Sequence, residues 1–133
     1  MTRMAILTLL AAVIPLAAHH STTAEFDNSK TVAMEGIITK VSWLNPHAGL
    51  WMDVKDAAGN AVHWEIELPS PNGLMRQGWQ KADLKPGDRV TLDVWLARKG
   101  AALASMRSIT LPDGRVMTGQ SMWDNPIPAM IKQ

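Results

Sequence analysis

The sequence contains no cysteine. That excludes disulfide staples, thiolate metal sites and a cysteine nucleophile, so the fold must stand on its own core. An excess of charge of either sign is missing too. Thirteen Lys plus Arg face twelve Asp plus Glu, and removing Arg3 with a leader leaves twelve of each. No basic run or stripe occurs, which argues against a nucleic-acid partner or an anionic membrane surface. After the leader, no apolar run approaches the roughly 20 residues that a bilayer span requires. Nor is there a Ser/His/Asp order, a phosphate loop or a Cys/His zinc spacing. What remains is one small domain in a chain of 133 residues. About 115 residues after the leader can bury a workable core without staples.

The first residues read as a signal peptide. Arg3 supplies the positive end, Met4 to Ile14 is apolar apart from Thr8, and Pro15 breaks the run before Ala17 and Ala18. The expectation is a leader over 1–18, cleavage after Ala18, and an exported protein, periplasmic or secreted. Cleavage after Ala17 would place Pro15 at a recognition position. Cleavage after Ala24 satisfies the small-residue rule but lies far from the apolar core and would discard His19 and His20.

Residues 19–31 are polar and are expected to form an arm with little structure of its own. From Val32 onward, period-two alternation dominates. Ile37, Thr39, Val41 and Trp43 share one face of a first strand, and Ile38, Lys40 and Ser42 the other. Asn45-Pro46 breaks it. A second strand separates Leu50, Met52 and Val54 from Trp51, Asp53 and Lys55, and Asp56 to Asn60 makes a hairpin turn. A third strand directs Val62, Trp64, Ile66 and Leu68 inward and His63, Glu65 and Glu67 outward.

Ser70-Pro71-Asn72 reads as the start of a short helix, with Ser70 as cap and Leu74, Met75 and Trp79 packed inward. A fourth strand turns Val90, Leu92, Val94 and Leu96 in and Thr91, Asp93 and Trp95 out. A fifth runs from about Leu103 to Leu111, and a short one at Val116 to Thr118 follows. Residues 119–133 are expected to be a loop-like tail, because Pro126 and Pro128 oppose regular structure. Three strands, a helix, then two or three strands is the order of a mainly β, five- to six-stranded antiparallel OB-like barrel over 32–118. An open antiparallel sheet with one helix is the alternative.

Two constellations carry chemistry. His19 at a new N-terminus offers amine and ring nitrogen in one chelate, and His47 beside Asn45-Pro46 offers a third nitrogen from a fixed loop. Such nitrogen-rich sites suit Cu(II), and zinc less well. His20 and His63 are further candidate donors, and cleavage after Ala17 would give a second copper geometry with His at position three. The same pair is also what linker composition could produce. The second constellation is the outward face carrying Trp51, Asp53, His63, Glu65, Glu67, Asp93 and Trp95. It could bind a small molecule, a glycan or an envelope protein, with Trp51, Trp95, Glu65 and Glu67 as contacts. Paired carboxylates on a solvated sheet arise constantly, so they are weak evidence for acid–base catalysis. Thioethers bind Cu(I), but Met52 and Met75 read as core gap-fillers, and only Met117, Met122 and Met130 lie in a loose tail where metal could reach them, which is weak evidence.

Taken together, Ala18-His19-His20-Ser21, Glu25-Phe26-Asp27 and Trp43-x-Asn45-Pro46-His47 resemble the domain-of-unknown-function family 6152. Val54-Lys55-Asp56, Trp64-Glu65-Ile66-Glu67, Ser70-Pro71-Asn72-Gly73-Leu74 and Arg76-x-Gly78-Trp79 match it as well. So do Leu84-Lys85-Pro86-Gly87-Asp88 and Leu111-Pro112-Asp113-Gly114. The resemblance implies a small exported bacterial protein and carries no established activity. The leading expectation is a non-enzymatic copper-binding protein using His19, His47 and His20, with His63 in reserve. A metal-free binding module and, last, a copper redox enzyme are the competing classes.

Overall fold

Apolar alternation of this kind can hide its edges by closing on itself, and the chain does so. The computed structural model describes residues 25–119. Strands β1 (Val32–Ser42), β2 (Gly49–Lys55) and β3 (Ala61–Glu67) are followed by helix α1 (Pro71–Arg76) and a 3-10 turn at Lys81–Asp83. Then come β4 (Arg89–Leu96), β5 (Leu103–Thr110) and the short β6 (Val116–Thr118). The sheet order is β3-β2-β1-β4-β5-β6, and an added β3–β5 pairing closes the first five strands into a barrel. The mainly β barrel, with its helix between β3 and β4, is the architecture the strand order predicts. One seam differs: β3 and β5 run parallel, Glu65 to Glu67 beside Leu103 to Ser105. Closure through a parallel seam has no local sequence signal, because neither strand is joined to the other by a turn.

Inside the barrel lie Ile38, Leu50, Met52, Ile66, Leu92, Val94, Met106 and Ile109, all buried. Of the inward positions expected on β3 and β4, Ile66, Leu68, Val90, Leu92 and Val94 lie in this core and Trp64 and Leu96 pack against it from half-buried positions. β1 breaks its own alternation. Ile38 pairs with Met52 and Lys40 with Trp51, so Thr39 is an extra residue in a bulge. A bulge resets which face the following residues present. Met34, Gly36 and Ile38 therefore face inward before it, and Val41 and Trp43 pack on the core after it.

Helix α1 is short because its sequence is a weak helix former held by its cap. The Ser70 hydroxyl accepts a hydrogen bond from the Gly73 amide at 3.1 Å, with Pro71 in the first turn. Leu74 and Trp79 are buried as expected, but Met75 is 52% exposed. With Leu74 already turned inward, its neighbour in a single helical turn points away. Met75 is therefore not a core gap-filler. Among the described residues, no helix is long and apolar enough to cross a membrane.

Candidate functional site

His47 lies in the β1–β2 loop, two residues before β2 begins. The loop is tied to the far end of β3: the Ala48 amide donates to the Pro69 carbonyl at 3.1 Å, and the Leu68 amide to the Ala48 carbonyl at 2.9 Å. This brings the His47 ring beside Glu67, with Nδ1 3.6 Å from Oε1. The His47 side chain is half exposed and that of Glu67 about a quarter exposed. Burial pushes the Glu67 carboxyl above its ordinary value; His47 opposes this, and the charges of Glu25 and Glu65 add to it.

Glu25 therefore acts on the same spot as His47, although it belongs to the arm. The described part of that arm, 25–31, is not the unstructured linker its polarity suggests. Phe26 makes an antiparallel bridge to Ala97. The Asp27 amide donates to the Leu96 carbonyl, and the Arg98 amide donates to the Glu25 carbonyl, both at 2.9 Å. Asp27 then turns the chain, accepting from the amide and hydroxyl of Ser29. The result is a short strap laid along the end of β4.

That strap corrects one expectation. Trp95 does point away from the barrel interior, but it is only 5% exposed and is not an open contact surface. Phe26 is wholly buried, and neither residue belongs to the main core cluster. Arg107 completes this second, smaller packing layer. Its guanidinium lies 5.1 Å from the centre of the Trp95 ring and donates to the Thr31 hydroxyl at 2.9 Å. Arg107 can reach over Trp95 because it is the extra residue of a bulge: Asp93 pairs with Ser108 and Val94 with Met106. The Trp95 Nε1 is buried with no hydrogen-bond partner. The lone phenylalanine and the bulge at Arg107 were the missed features; an isolated apolar residue in a polar arm was the available signal.

The other outward residues stay open. Register sets Gly49, Glu67, Ser105 and Trp95 side by side around the outside, and Trp51 and Glu65 form the neighbouring pair. Trp51 is half-buried, with the Lys40 ammonium 4.5 Å from its ring centre. Its ring lies back over Gly49, where a Cβ would meet ring carbons at about 3 Å. Glu65 is exposed. His63 pairs with Asp53 directly across β2 and β3, and its side chain is 83% exposed. It stands four residues from Glu67 along β3, about 13 Å at strand rise, so the structure does not bring His63 to His47. Asp93 accepts a hydrogen bond from Ser108 at 3.2 Å.

The chain belongs to the family of unknown function DUF6152. The family model matches residues 7–106, from the apolar N-terminal run through the barrel into β5. No curated protein and no solved structure matches the chain. Among the described residues, no three His, Asp or Glu side chains form a group able to hold a metal ion. His19 and His20 lie outside the described residues. The described part of this DUF6152 chain therefore offers a half-exposed imidazole on a fixed loop beside a carboxylate.

Proposed function

We propose that this is an exported, periplasmic, non-enzymatic protein that binds a transition metal, Cu(II), through His47 and the histidines of the mature N-terminus, His19 and His20. The observation that carries the reading is the pairing of His47 with Glu67, Nδ1 3.6 Å from Oε1, on a loop tied by backbone hydrogen bonds to the end of β3. His20 precedes Glu25 by about five residues and His19 by about six. An extended chain covers roughly 3.3–3.6 Å per residue, so both have a reach of about 16–20 Å from Glu25.

The His47–Glu67 pairing supports this role for His47. Metal-bound imidazoles commonly present one ring nitrogen to a carboxylate and the other to the ion. Here Nδ1 faces Glu67, which leaves Nε2 for a metal. An N-terminal amine, its own ring nitrogen and a second imidazole form a nitrogen set that suits Cu(II), while a lone His47 and carboxylate suit zinc no worse. Mass spectrometry of the mature protein should give His19 as first residue; a chain starting at Glu25 removes the site. Cu(II) titration of that mature chain should lose tight binding in both His19→Ala and His47→Ala. Equal affinity in all three proteins overturns the reading.

A metal-free binding module has one observation in its favour. Trp51 is partly open beside Glu65 on the β2–β3 wall, the wall that carries ligands in OB barrels. Its partner would be a small molecule, glycan or envelope protein. Trp95 does not extend that surface, since it is buried with the Arg107 guanidinium over its ring.

A further inference from the structure

We propose a cation seat separate from the copper reading: Nδ1 of His47 and Oε1 of Glu67 as two ligands of one divalent ion of the zinc class. It takes the opposite ring nitrogen from the copper reading and uses neither N-terminal histidine, so it stands apart from that reading. The two donor atoms lie 3.6 Å apart. That is too long for a hydrogen bond, which needs about 2.7–3.2 Å. It is close to the separation that a shared ion sets. Bonds of about 2.0–2.2 Å to zinc, at the tetrahedral angle, hold two donors about 3.3–3.5 Å apart. Neighbouring corners of a square-planar Cu(II) site, at the same bond lengths, would hold them about 2.8–3.1 Å apart. Calcium and magnesium prefer oxygen ligands throughout, and an imidazole nitrogen turns the choice away from them. The gap therefore suits zinc between these two donors better than copper.

Backbone bonds fix where both donors start. Glu67 ends β3, paired with Gly49 on one side and Ser105 on the other. His47 precedes Ala48, whose amide donates to Pro69 and whose carbonyl accepts from Leu68, the residue after Glu67. The two side chains thus leave backbone segments that are bonded to each other. Among the described residues no hydrogen bond holds the Glu67 carboxylate, although its side chain is only 26% exposed. A carboxylate withdrawn this far from water ordinarily finds donors; here His47 is the side chain that pairs with it. Gly49, opposite Glu67, carries no side chain, and the Trp51 ring lies back over it. No third His, Asp or Glu joins the pair among the described residues. Two of four positions are left to water, so the seat is open, unlike a closed structural zinc site. A neutral imidazole has one free lone pair, at Nδ1 or at Nε2, so zinc at Nδ1 and copper at Nε2 exclude one another.

The test uses the full mature chain, with Zn(II) for affinity and Co(II) as its spectroscopic stand-in. Zn(II) calorimetry should show a site that persists when His19→Ala and His20→Ala are combined. Affinity should fall at least about tenfold in His47→Ala and in Glu67→Gln, since removing even an outer-sphere partner of a metal costs about 10–100-fold. Bound Co(II) should give the intense visible bands of a four-coordinate ion, and Glu67→Gln should lose them. Both substitutions fall on side chains outside the core cluster, and circular dichroism confirms that the variants fold. Zinc affinity unchanged in Glu67→Gln, or lost when both N-terminal histidines are replaced, overturns the seat and leaves the copper reading to its own titration. Zinc bound as described, with copper affinity untouched by His47→Ala, supports the seat and ends the copper reading.

Discussion

Gly36 and Gly49 offer the sharpest test of the barrel, because the same substitution should have very unequal consequences at the two. Gly36 sits in β1 where the strand pairs with Val54 on one side and Val90 on the other. A Cβ there would lie 2.4 Å from the Asp53 carbonyl oxygen and 2.5 Å from the Met52 methyl. The methyl could swing aside, but the carbonyl belongs to the backbone of β2 and cannot retreat without opening the seam. Overpacking of this kind costs about 1–3 kcal/mol, against roughly 0.4–1 kcal/mol recovered from a stiffer unfolded chain. A net loss of about 1.3 kcal/mol corresponds to a melting-temperature drop of roughly 5–10 °C in a domain of this size. At Gly49 the obstruction is the outer edge of the Trp51 ring, at 2.9 Å. That is the far end of a movable side chain on the outside of the barrel. Gly49→Ala should therefore shift melting by no more than about 4 °C, corresponding to less than about 1 kcal/mol. Thermal unfolding followed by circular dichroism measures both. A Gly36→Ala protein melting within a few degrees of wild type, or a Gly49→Ala protein that is the worse of the two, refutes the packing described for β1 and β2.

Ser70→Ala should cost about 1 kcal/mol, the usual loss of an N-cap, visible as a lower urea midpoint with an unchanged slope. Arg115 donates to Asp83 at 2.9 Å and to Asp113 at 2.7 Å, and hydrogen bonds led by the Gln80 amide hold Asp83 below its ordinary 3.8. A carboxyl lowered on folding contributes stability above its unfolded value and loses it as pH falls through the folded one. The melting difference between wild type and Arg115→Met should accordingly be largest above about pH 4 and shrink at lower pH. A difference that grows on acidification would refute it. His63→Ala should leave copper affinity within about twofold of wild type, since its loss removes only an exposed cross-strand partner of Asp53.

The strand order was legible because alternation and turn residues are local. Ile66, Leu68, Leu92 and Val94 face the core as their spacing dictates. Three features were not legible, each because it depends on residues distant in sequence. The parallel β3–β5 seam joins Glu65 and Leu103 without a turn between them. The bulge at Thr39 inverts the second half of β1, and strict alternation cannot register one extra residue. Trp95 lies on the outer face, but it is buried, with Arg107 brought over its ring by a bulge in β5. At the site, His47 was legible from its position after Asn45-Pro46. Its pairing with Glu67 was not, because the β1–β2 loop reaches the end of β3 only once the barrel forms.

The cover over Trp95 decides how the two readings of the outer wall relate. An OB barrel usually leaves its β2–β3 wall open between flanking loops. Here Trp51, Glu65 and the His63–Asp53 pair keep one part of that wall accessible, whereas the part beyond Glu67 and Ser105 is roofed by Arg107, whose guanidinium lies over the buried Trp95. Two His–carboxylate pairs therefore sit in different surroundings. His63–Asp53 lies on open sheet, where such cross-strand pairs are ordinary and contribute well under about 1 kcal/mol. His47–Glu67 lies at the border between open wall and roof, with a carboxyl disfavoured by burial and a further negative charge supplied by the strap. A cation relieves that arrangement, and a neutral sugar or an apolar ligand does not. Copper bound with the same affinity by His47→Ala would break this argument at its first step, because no other imidazole among the described residues borders the roof.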